Sequence, residues 1–304
     1  MKIVERVMNL KRYIKKKRIT VFDVFLILFF SFVMLITLYP FLNVLAISLN
    51  DSLDTIRGMN FIIPRKPTFA NYEKLFKEQD LVTPFIISIL RTVIGTITNL
   101  IATAMLAFVF SRRDFYFNKL LTIIFIITMY VSGGLVPEYL LISRTLRLTN
   151  NFLVYIIPGM IWVYNLILVR SYMDGLPEAL QESAKIDGAN DFIIFYKIVV
   201  PLCKPVLATV ALFVAVGQWN SFMDTYFYAR KLPTLQYKLY VILNETGINL
   251  SNMHQAESLE SVASITPQSV RMAITVIATV PIIVVYPFLQ KYFVGGMTLG
   301  AVKN

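Results

Sequence analysis

Six long apolar stretches constrain this chain more than any other feature. Each lacks Asp, Glu, Lys and Arg, and each is near the roughly 20 apolar residues that a helix needs to cross a bilayer. None alternates polar and apolar residues with period two, which argues against a transmembrane barrel. They predict an all-α, polytopic membrane protein with six transmembrane helices, at about residues 24–46, 92–111, 120–137, 151–169, 205–223 and 272–290.

Charge predicts the orientation of these helices. Only 15% of residues are charged, against about 25% in soluble domains. The net charge of +11 is compatible with nucleic-acid binding, but in a membrane protein Lys and Arg retain loops in the cytoplasm. We therefore expect no nucleic-acid partner. Residues 1–20 include the basic run KRYIKKKR, which predicts a cytoplasmic N-terminus.

The same basic start has two other interpretations. A cleaved signal peptide would need a shorter apolar run than residues 24–46, and a specific anionic-lipid site is not required to explain a topology signal. A membrane domain over 21–293 with six crossings, surrounded by membrane lipids, returns the tail 294–304 to the cytoplasm.

Two long segments lie outside in this topology, residues 47–91 and 224–271. Loops of this length are usually functional or disordered, so either an external partner or a simple connector explains them. The stretch PTFANYEKLF in the first loop becomes amphipathic after Pro and Thr, which predicts a short interfacial helix. His254 in the second loop and Cys203 are the chain's single His and Cys, so we expect no metal site.

The cytoplasmic segment 174–204 is too long for a tight turn. Pro177 and Glu178 suit a helix start, Gly188 suits a helix end, and Asn190 or Asp191 suits the cap of a second helix. A surface helix resting on lipid is usually basic, whereas this segment is net acidic. A protein partner with a basic cleft therefore fits better than an interfacial loop.

A spacing motif lies inside that segment. Glu182-Ser183-Ala184 is followed after three residues by Gly188, and after nine more by Ile198-Val199-Val200-Pro201. This spacing resembles the EAA loop of ABC importer permeases, with Ser183 and Val200 as small departures. Three further stretches carry the resemblance: SGGLVPEYLL, VGQWNS and the final YPFLQKYFVGGMTLGAVKN. The chain resembles the maltose-type carbohydrate permeases of type I importers, and most closely the branch serving lipoprotein-linked oligosaccharide importers.

The resemblance implies a type I importer permease fold in the cell membrane. It implies a second permease subunit, two ATPase subunits, an extracellular lipid-anchored solute-binding protein and a carbohydrate substrate, an oligosaccharide. It also implies that the segment docks on an ATPase and couples ATP hydrolysis to transport. The coupling residues so implied are Glu178, Glu182, Ser183, Ala184, Asp187, Gly188, Ile198 and Pro201.

The chain itself is not expected to be an enzyme or to hold a cofactor. A phosphate-binding loop of the P-loop type needs a Lys and a hydroxyl after its second glycine. Gly295 and Gly300 have the glycine spacing, but Ala301 and Val302 follow. ATP and Mg would therefore bind to the partner ATPase.

Polar residues inside spans are costly and often functional. Five such residues are candidates for the substrate pathway: Asn165, Gln218, Trp219, Asn220 and Glu138. An indole stacks on a sugar face while an amide bonds hydroxyls, but helix–helix hydrogen bonding explains Trp219 and Asn220 equally well. Glu138 stands where many relatives are expected to have a neutral residue, and its position favours a loop or gate role.

Two alternative classes fit less well. An ion-coupled secondary transporter would show intramembrane carboxylates or inverted repeats, and the six apolar stretches contain no charge. An intramembrane enzyme would need a catalytic constellation, and these stretches contain no His.

Overall fold

The computed structural model describes most of the chain between the N-terminal basic run and the C-terminus. It covers residues 20–58, 62–78, 80–112, 114–253 and 267–301. The predicted basic run, His254 and residues 302–304 lie outside the described residues, as do the side chains of the predicted tail. The chain divides into two units, residues 1–71 with 263–273, and residues 72–262 with 274–304.

The first unit begins with helix α1, Val21–Ser48. Thr20 caps it: its hydroxyl accepts from the Asp23 N–H at 3.2 Å, and the Asp23 carboxylate accepts from the Thr20 N–H at 2.9 Å. This reciprocal pair is a capping box, which satisfies two of the helix's free backbone donors. Large apolar side chains along α1 are exposed, as expected for a helix that faces lipid or a partner subunit.

A hydrogen-bonded loop follows α1 in the same unit. Helix α2 is Ser52–Arg57. Helix α3, Ala70–Glu78, is the short helix predicted from PTFANYEKLF, and its residues from Tyr72 onward belong to the second unit. The buried Asn71 amide donates to the carbonyl oxygens of Ser48 and Asn50, each at 2.9 Å. An isolated antiparallel β-bridge joins Asn50 to Pro67, and the described residues contain no β-strand.

The second unit is built on three packed helices. They are α4, Val82–Ser111, α7, Val163–Met173, and α10, Lys204–Asn220, with α4 packed against both others. Small and β-branched residues such as Ala107 and Val210 let the backbones approach closely in the core. The remaining helices of this unit include α5, Asn118–Tyr130, α6, Leu135–Leu140, α8, Ala179–Ile186, α9, Asp191–Leu202, α11, Met223–Tyr228 and α12, Leu235–Met253.

The last helix, α13, is Pro267–Ala301 and contains both Pro281 and Pro287. Two stretches in the second unit depart from α-helical geometry. A π-helical turn, Leu141–Thr145, extends α6, and another, Ile194–Val199, lies within α9. Such turns are rare and occur frequently at functional sites.

The observed helices differ from six uninterrupted spans. Three described helices are long and apolar enough to cross a membrane, and up to five spans result if each of two bent pairs counts as one. The predicted span 120–137 is such a pair, α5 and Leu135–Thr145, bent by 111°. The break falls at Gly133-Gly134, where Gly134 has φ +83, a conformation that favours glycine.

The predicted span 151–169 is the clearest departure. It contains a 3-10 turn, Phe152–Tyr155, and then non-helical chain until α7 begins at Val163. Pro158-Gly159 lies in this break. These residues disfavour a helix, because proline lacks the N–H that a helix requires and glycine loses the most entropy when it is ordered. The six-span count therefore stays a prediction.

Candidate functional site

The segment Glu178–Pro201, called the coupling segment below, has the predicted helix–glycine–helix form. Helix α8 starts after Glu178, and α9 starts after Asn190, whose side-chain oxygen accepts from the Ile193 N–H at 2.9 Å. Pro177 lies one residue before the α8 cap rather than in its first turn. The two helices are short, so their orientation depends on what holds the segment to the rest of the unit.

Gly188 makes the turn between these helices. Its φ is +81, in the left-handed region. A Cβ at this position would meet no atom within 4 Å. Glycine is therefore required by the backbone conformation alone, and not by close packing.

Arg112 ties the coupling segment to the end of α4. Its guanidinium donates through Nη1 to Oε1 of Gln181 on α8, and through Nη2 to Oδ1 of Asp191, the first residue of α9, at 2.7 Å. Lys185 adds a weaker pair with Asp114 at 3.5 Å. One side chain thus contacts both helices on either side of Gly188, and charge-assisted bonds of this kind are about twice as strong as neutral ones.

The predicted coupling residues divide between an exposed and a packed face. Ala184 packs against the core of the unit, and Ile198 is half-buried. The others are exposed: Glu178, Glu182, Ser183, Asp187, Gly188 and Pro201. Glu178 and Glu182 also line a cavity of about 570 Å³ beside Arg112.

Three large apolar side chains on the same segment are exposed to an unusual degree. Ile186 is 86% exposed, Phe192 68% and Tyr196 65%. Exposed apolar side chains that lie beside acidic ones indicate a protein-binding face. The sequence motif did not single out these three residues, although their position next to Gly188 could have.

A second candidate site is a polar cavity of about 230 Å³. Arg91, Glu138, Tyr155, Trp162, Gln218 and Asp224 are among its lining residues. It lies beside α4, α7 and α10, the packed helices of the unit. A concave site with aromatic walls and a few polar groups is the usual form of a small-molecule site.

Arg91 is the centre of this cavity's polar network. It lies in the third turn of α4 and is 2% exposed. Its guanidinium contacts Oε1 of Gln218 through Nε at 3.1 Å and through Nη2 at 2.9 Å. It also pairs with both carboxylate oxygens of Asp224, and lies 4.5 Å from the centre of the Tyr155 ring. The buried charge is thereby neutralised, as burial requires.

Glycines let the cavity walls approach. A Cβ at Gly217 would lie 2.7 Å from the Trp162 ring, and one at Gly95 would lie 2.8 Å from the Gln218 amide. These contacts are shorter than van der Waals distance, so a side chain at either glycine would displace a lining residue.

The five predicted pathway residues do not all meet. Gln218 and Glu138 line the polar cavity. Trp219 lies elsewhere: its indole N–H donates to the Ala278 carbonyl at 2.9 Å, and its ring packs edge-on against Phe85. Asn220 is exposed, with a long 3.5 Å contact from Gln236. The tryptophan of the cavity is Trp162.

Asn165 is in neither site's polar network. It is 1% exposed, and both polar atoms of its side chain lack a hydrogen-bond partner. Leaving a buried amide unpaired costs free energy, so such a group in a native structure needs an explanation.

Arg91 and Asp224 are functional candidates that sequence reasoning missed. Each lies just outside an apolar stretch, 92–111 and 205–223, and so escaped the search for charges inside spans. The signal available was two opposite charges at the same predicted end of neighbouring spans. Within the described residues, no group of three or more His, Cys, Asp and Glu side chains could hold a metal ion.

Comparison with known proteins gives relatives along almost the whole chain. One is the polygalacturonan/rhamnogalacturonan transport system permease protein YtcP of Bacillus subtilis (strain 168), 34% identical over 93% of this chain and 98% of the relative. Another is Protein LplC of the same organism, 37% identical over 93% of this chain and 95% of the relative.

A solved structure is also similar. One chain from the crystal structure of a bacterial ABC transporter involved in the import of the acidic polysaccharide alginate matches with a TM-score of 0.78 and 27% identity. The match covers 90% of this chain and 96% of that chain. A family model, described as the binding-protein-dependent transport system inner membrane component, matches residues 12–299. This chain belongs to that family of inner membrane transport components.

Proposed function

We propose that this chain is one permease subunit of an ATP-driven importer for oligosaccharides. The observation that carries the proposal is the coupling segment, which has two short helices around left-handed Gly188, held to α4 by Arg112. Family membership and the sugar-transport names of the relatives support the carbohydrate substrate. The segment's role, its partners and its substrate are the parts that experiment must test.

The exposed face of the coupling segment is proposed to bind an ATPase subunit. Glu182 and Asp187 supply charge, and Ile186 supplies an apolar anchor that is 86% exposed. Closure of the ATPase dimer would move this face, and the movement would favour one state of the permease if contacts differ between states. ATP and Mg would bind to the ATPase alone.

The proposed assembly contains a second permease, two ATPase subunits and a lipid-anchored external binding protein. The six-span topology with both termini in the cytoplasm belongs to this proposal. It places the coupling segment inside and residues 47–91 outside. The polar cavity then lies toward the outer side, where an arriving sugar would enter.

The polar cavity is proposed to form part of the sugar pathway. Trp162 offers an aromatic ring, and Glu138 offers an exposed carboxylate. Gln218 keeps one amide N–H, because its oxygen accepts twice from Arg91 and its other N–H donates to the Tyr155 carbonyl. Trp219 and Asn220 are better explained by contacts within the protein. Asn165, buried with an unpaired amide, is a candidate for a group that finds its partner in another state of the transporter.

The test is sugar-stimulated ATP hydrolysis by the reconstituted complex. In Gly188→Ala, an alanine must adopt the left-handed backbone conformation, which costs about 1–2 kcal/mol. We therefore expect the sugar stimulation of ATP hydrolysis to fall about tenfold. Glu182→Lys should also reduce stimulation, because it reverses a charge on the docking face.

Gly134→Ala is the matched control for the effect of backbone strain on assembly, because Gly134 also has positive φ and open space where a Cβ would stand. It is not a control for sugar binding, since the Gly134 carbonyl accepts from the Glu138 N–H. It carries the same backbone strain far from the coupling segment in sequence. All variants must first assemble with the partner permease, as judged by co-purification. Full stimulation and uptake in both Gly188→Ala and Glu182→Lys would overturn the proposed coupling role.

A further inference from the structure

The polar cavity contains three charged side chains, and two of them neutralise each other. Arg91 and Asp224 form a buried ion pair, and Glu138 is the third. The charge that a substrate meets therefore depends on whether Arg91 has any donor left and on whether Glu138 has a partner.

Arg91 has no spare donor. A guanidinium carries five N–H groups, and five hydrogen bonds leave this one: two to Gln218, two to Asp224 and one to the Ser221 carbonyl. Its cationic face is also covered, since Tyr155 lies over it at 4.5 Å. A substrate carboxylate could pair with Arg91 only by breaking bonds that hold α4 to α10 and α11.

Glu138 has the opposite character. It is exposed on the cavity wall, and it makes no ion pair with any of the residues that the structure describes. Its carboxylate can accept several hydrogen bonds and donates none when ionised. The accessible charge of the cavity is therefore negative.

We infer that this half of the pathway selects uncharged sugars over acidic ones, with Glu138 as the specificity-determining residue. Hydroxyl groups can donate to its carboxylate, while a uronate carboxylate would be repelled by it. Such a carboxylate would find no free cation among the described residues that line the cavity. This deepens the proposed function and rests on it.

The experiment compares two ligands that differ only at C6, galactotriose and trigalacturonate. Each is titrated onto the assembled complex in zwitterionic nanodiscs without the binding protein, and saturation-transfer NMR gives the dissociation constants. We expect wild type to bind galactotriose about tenfold more tightly, which corresponds to about 1.4 kcal/mol. Glu138→Gln should bring the ratio of the two constants close to one.

Glu73→Gln is the control, because it removes an exposed carboxylate of helix α3, which lies outside the cavity. Its ratio should equal that of wild type. Equal binding of both trimers to wild type would overturn the inference, as would an unchanged ratio in Glu138→Gln or an equal shift in Glu73→Gln. Failure of both trimers to bind would also overturn it, while leaving the test with Gly188→Ala unaffected.

Discussion

At the scale of single residues, disruption of the Arg91–Asp224 pair is expected to be costly. Arg91 is 2% exposed at its side chain and Asp224 is 23% exposed. Removing one partner of a buried pair leaves an uncompensated charge, which costs about 3–5 kcal/mol when burial is complete. The partial exposure of Asp224 places the effect at the lower end of this range.

We therefore predict that Asp224→Asn lowers the unfolding midpoint of the purified complex by several degrees. The measurement is thermal unfolding in detergent followed by intrinsic fluorescence. Glu73→Gln breaks the exposed pair with Lys77, whose atoms are 3.7 Å apart, and should shift the midpoint little because surface pairs contribute about 0–1 kcal/mol. Equal shifts in the two variants would contradict the buried role of Asp224.

A second residue-level prediction concerns the cavity wall. Gly217→Ala places a Cβ 2.7 Å from the Trp162 ring, whereas Gly159→Ala places one at 3.7 Å, an ordinary contact. Overpacking typically costs about 1–3 kcal/mol, so Gly217→Ala should weaken sugar binding and lower stability. Gly159→Ala should do neither. The measurement is titration of galactotriose onto both variants. Wild-type affinity in Gly217→Ala would contradict the close contact between position 217 and the Trp162 ring.

A third residue-level prediction concerns Asp54 in the loop after α1. The hydrogen bond from the Asn50 amide, together with Arg65, lowers the pKa of this carboxyl below its ordinary value. Its contribution to stability is therefore present above the unfolded pKa and is lost as the pH falls through the lower, folded pKa. Below about pH 4 the amides of residues 50–58 and 62–71 should lose protection against hydrogen exchange, relative to the intrinsic rate at each pH. In Asp54→Asn this loss of protection should vanish.

At the scale of elements, Arg112 hydrogen-bonds both α8 and α9 from the end of α4, beside the apolar contact of Phe108 with Phe195. The bond from this charged group to Gln181 contributes about 1.5–3 kcal/mol. Asp191 is 68% exposed, so its pair with Arg112 contributes only about 0–1 kcal/mol. Arg112→Gln should therefore loosen the coupling segment and reduce sugar-stimulated ATP hydrolysis about tenfold, while the complex still assembles. Arg112→Lys should restore little, because a single ammonium cannot match two separated acceptors as a planar guanidinium does.

Lys119→Gln is the control for this prediction. Lys119 is an exposed cation near the start of α5, so the substitution removes the same charge without touching α8 or α9. Wild-type stimulation in Lys119→Gln and loss in Arg112→Gln is the expected pair of results. Retention of stimulation in Arg112→Gln would exclude the side chain from coupling.

The sequence predicted the helices of the coupling segment better than it predicted the residues of the polar cavity. The spacing from Glu182 to Pro201 located two helices around Gly188, because turn chemistry and caps are local. Trp219 was assigned to the same site as Gln218 because the two are adjacent, yet successive residues on a helix point about 100° apart. Gln218 faces Arg91 while Trp219 faces α13. Which face of α10 lines the cavity is decided by its packing against α4 and α7, and not by the sequence of α10 itself.

At the scale of the whole molecule, apolar stretches predicted where helices lie but not where they break. Residues 151–169 have the composition of a span, yet the chain bends at Pro158-Gly159 and α7 begins at Val163. Arg91 lies inside α4 because the helix begins ten residues before the charge-free stretch does. A charge is tolerated at this position because Asp224 neutralises Arg91. A search for apolar stretches considers neighbouring residues only, so it cannot detect a pair between distant segments.

The topology makes a prediction of its own. Ile63 is 76% exposed and lies on the predicted outer side, while Ile186 is 86% exposed and lies on the predicted inner side. In intact cells a membrane-impermeant maleimide should label Ile63→Cys but not Ile186→Cys, and permeabilisation should expose the second. Cys203 is buried and should give little background. Labelling of Ile186→Cys in intact cells would reverse the proposed orientation.

Helix α4 has a mechanical consequence. Arg91 and Arg112 are 21 residues apart in sequence, and a rise of 1.5 Å per residue separates their positions by about 30 Å, the thickness of a hydrocarbon core. One arginine is bonded to the cavity wall and the other to the coupling segment. A hydrogen-bonded helix is stiff along its axis, so α4 rigidly connects the two arginines. In the proposed topology, displacement of one end of α4 at one side of the bilayer would displace its other end at the opposite side.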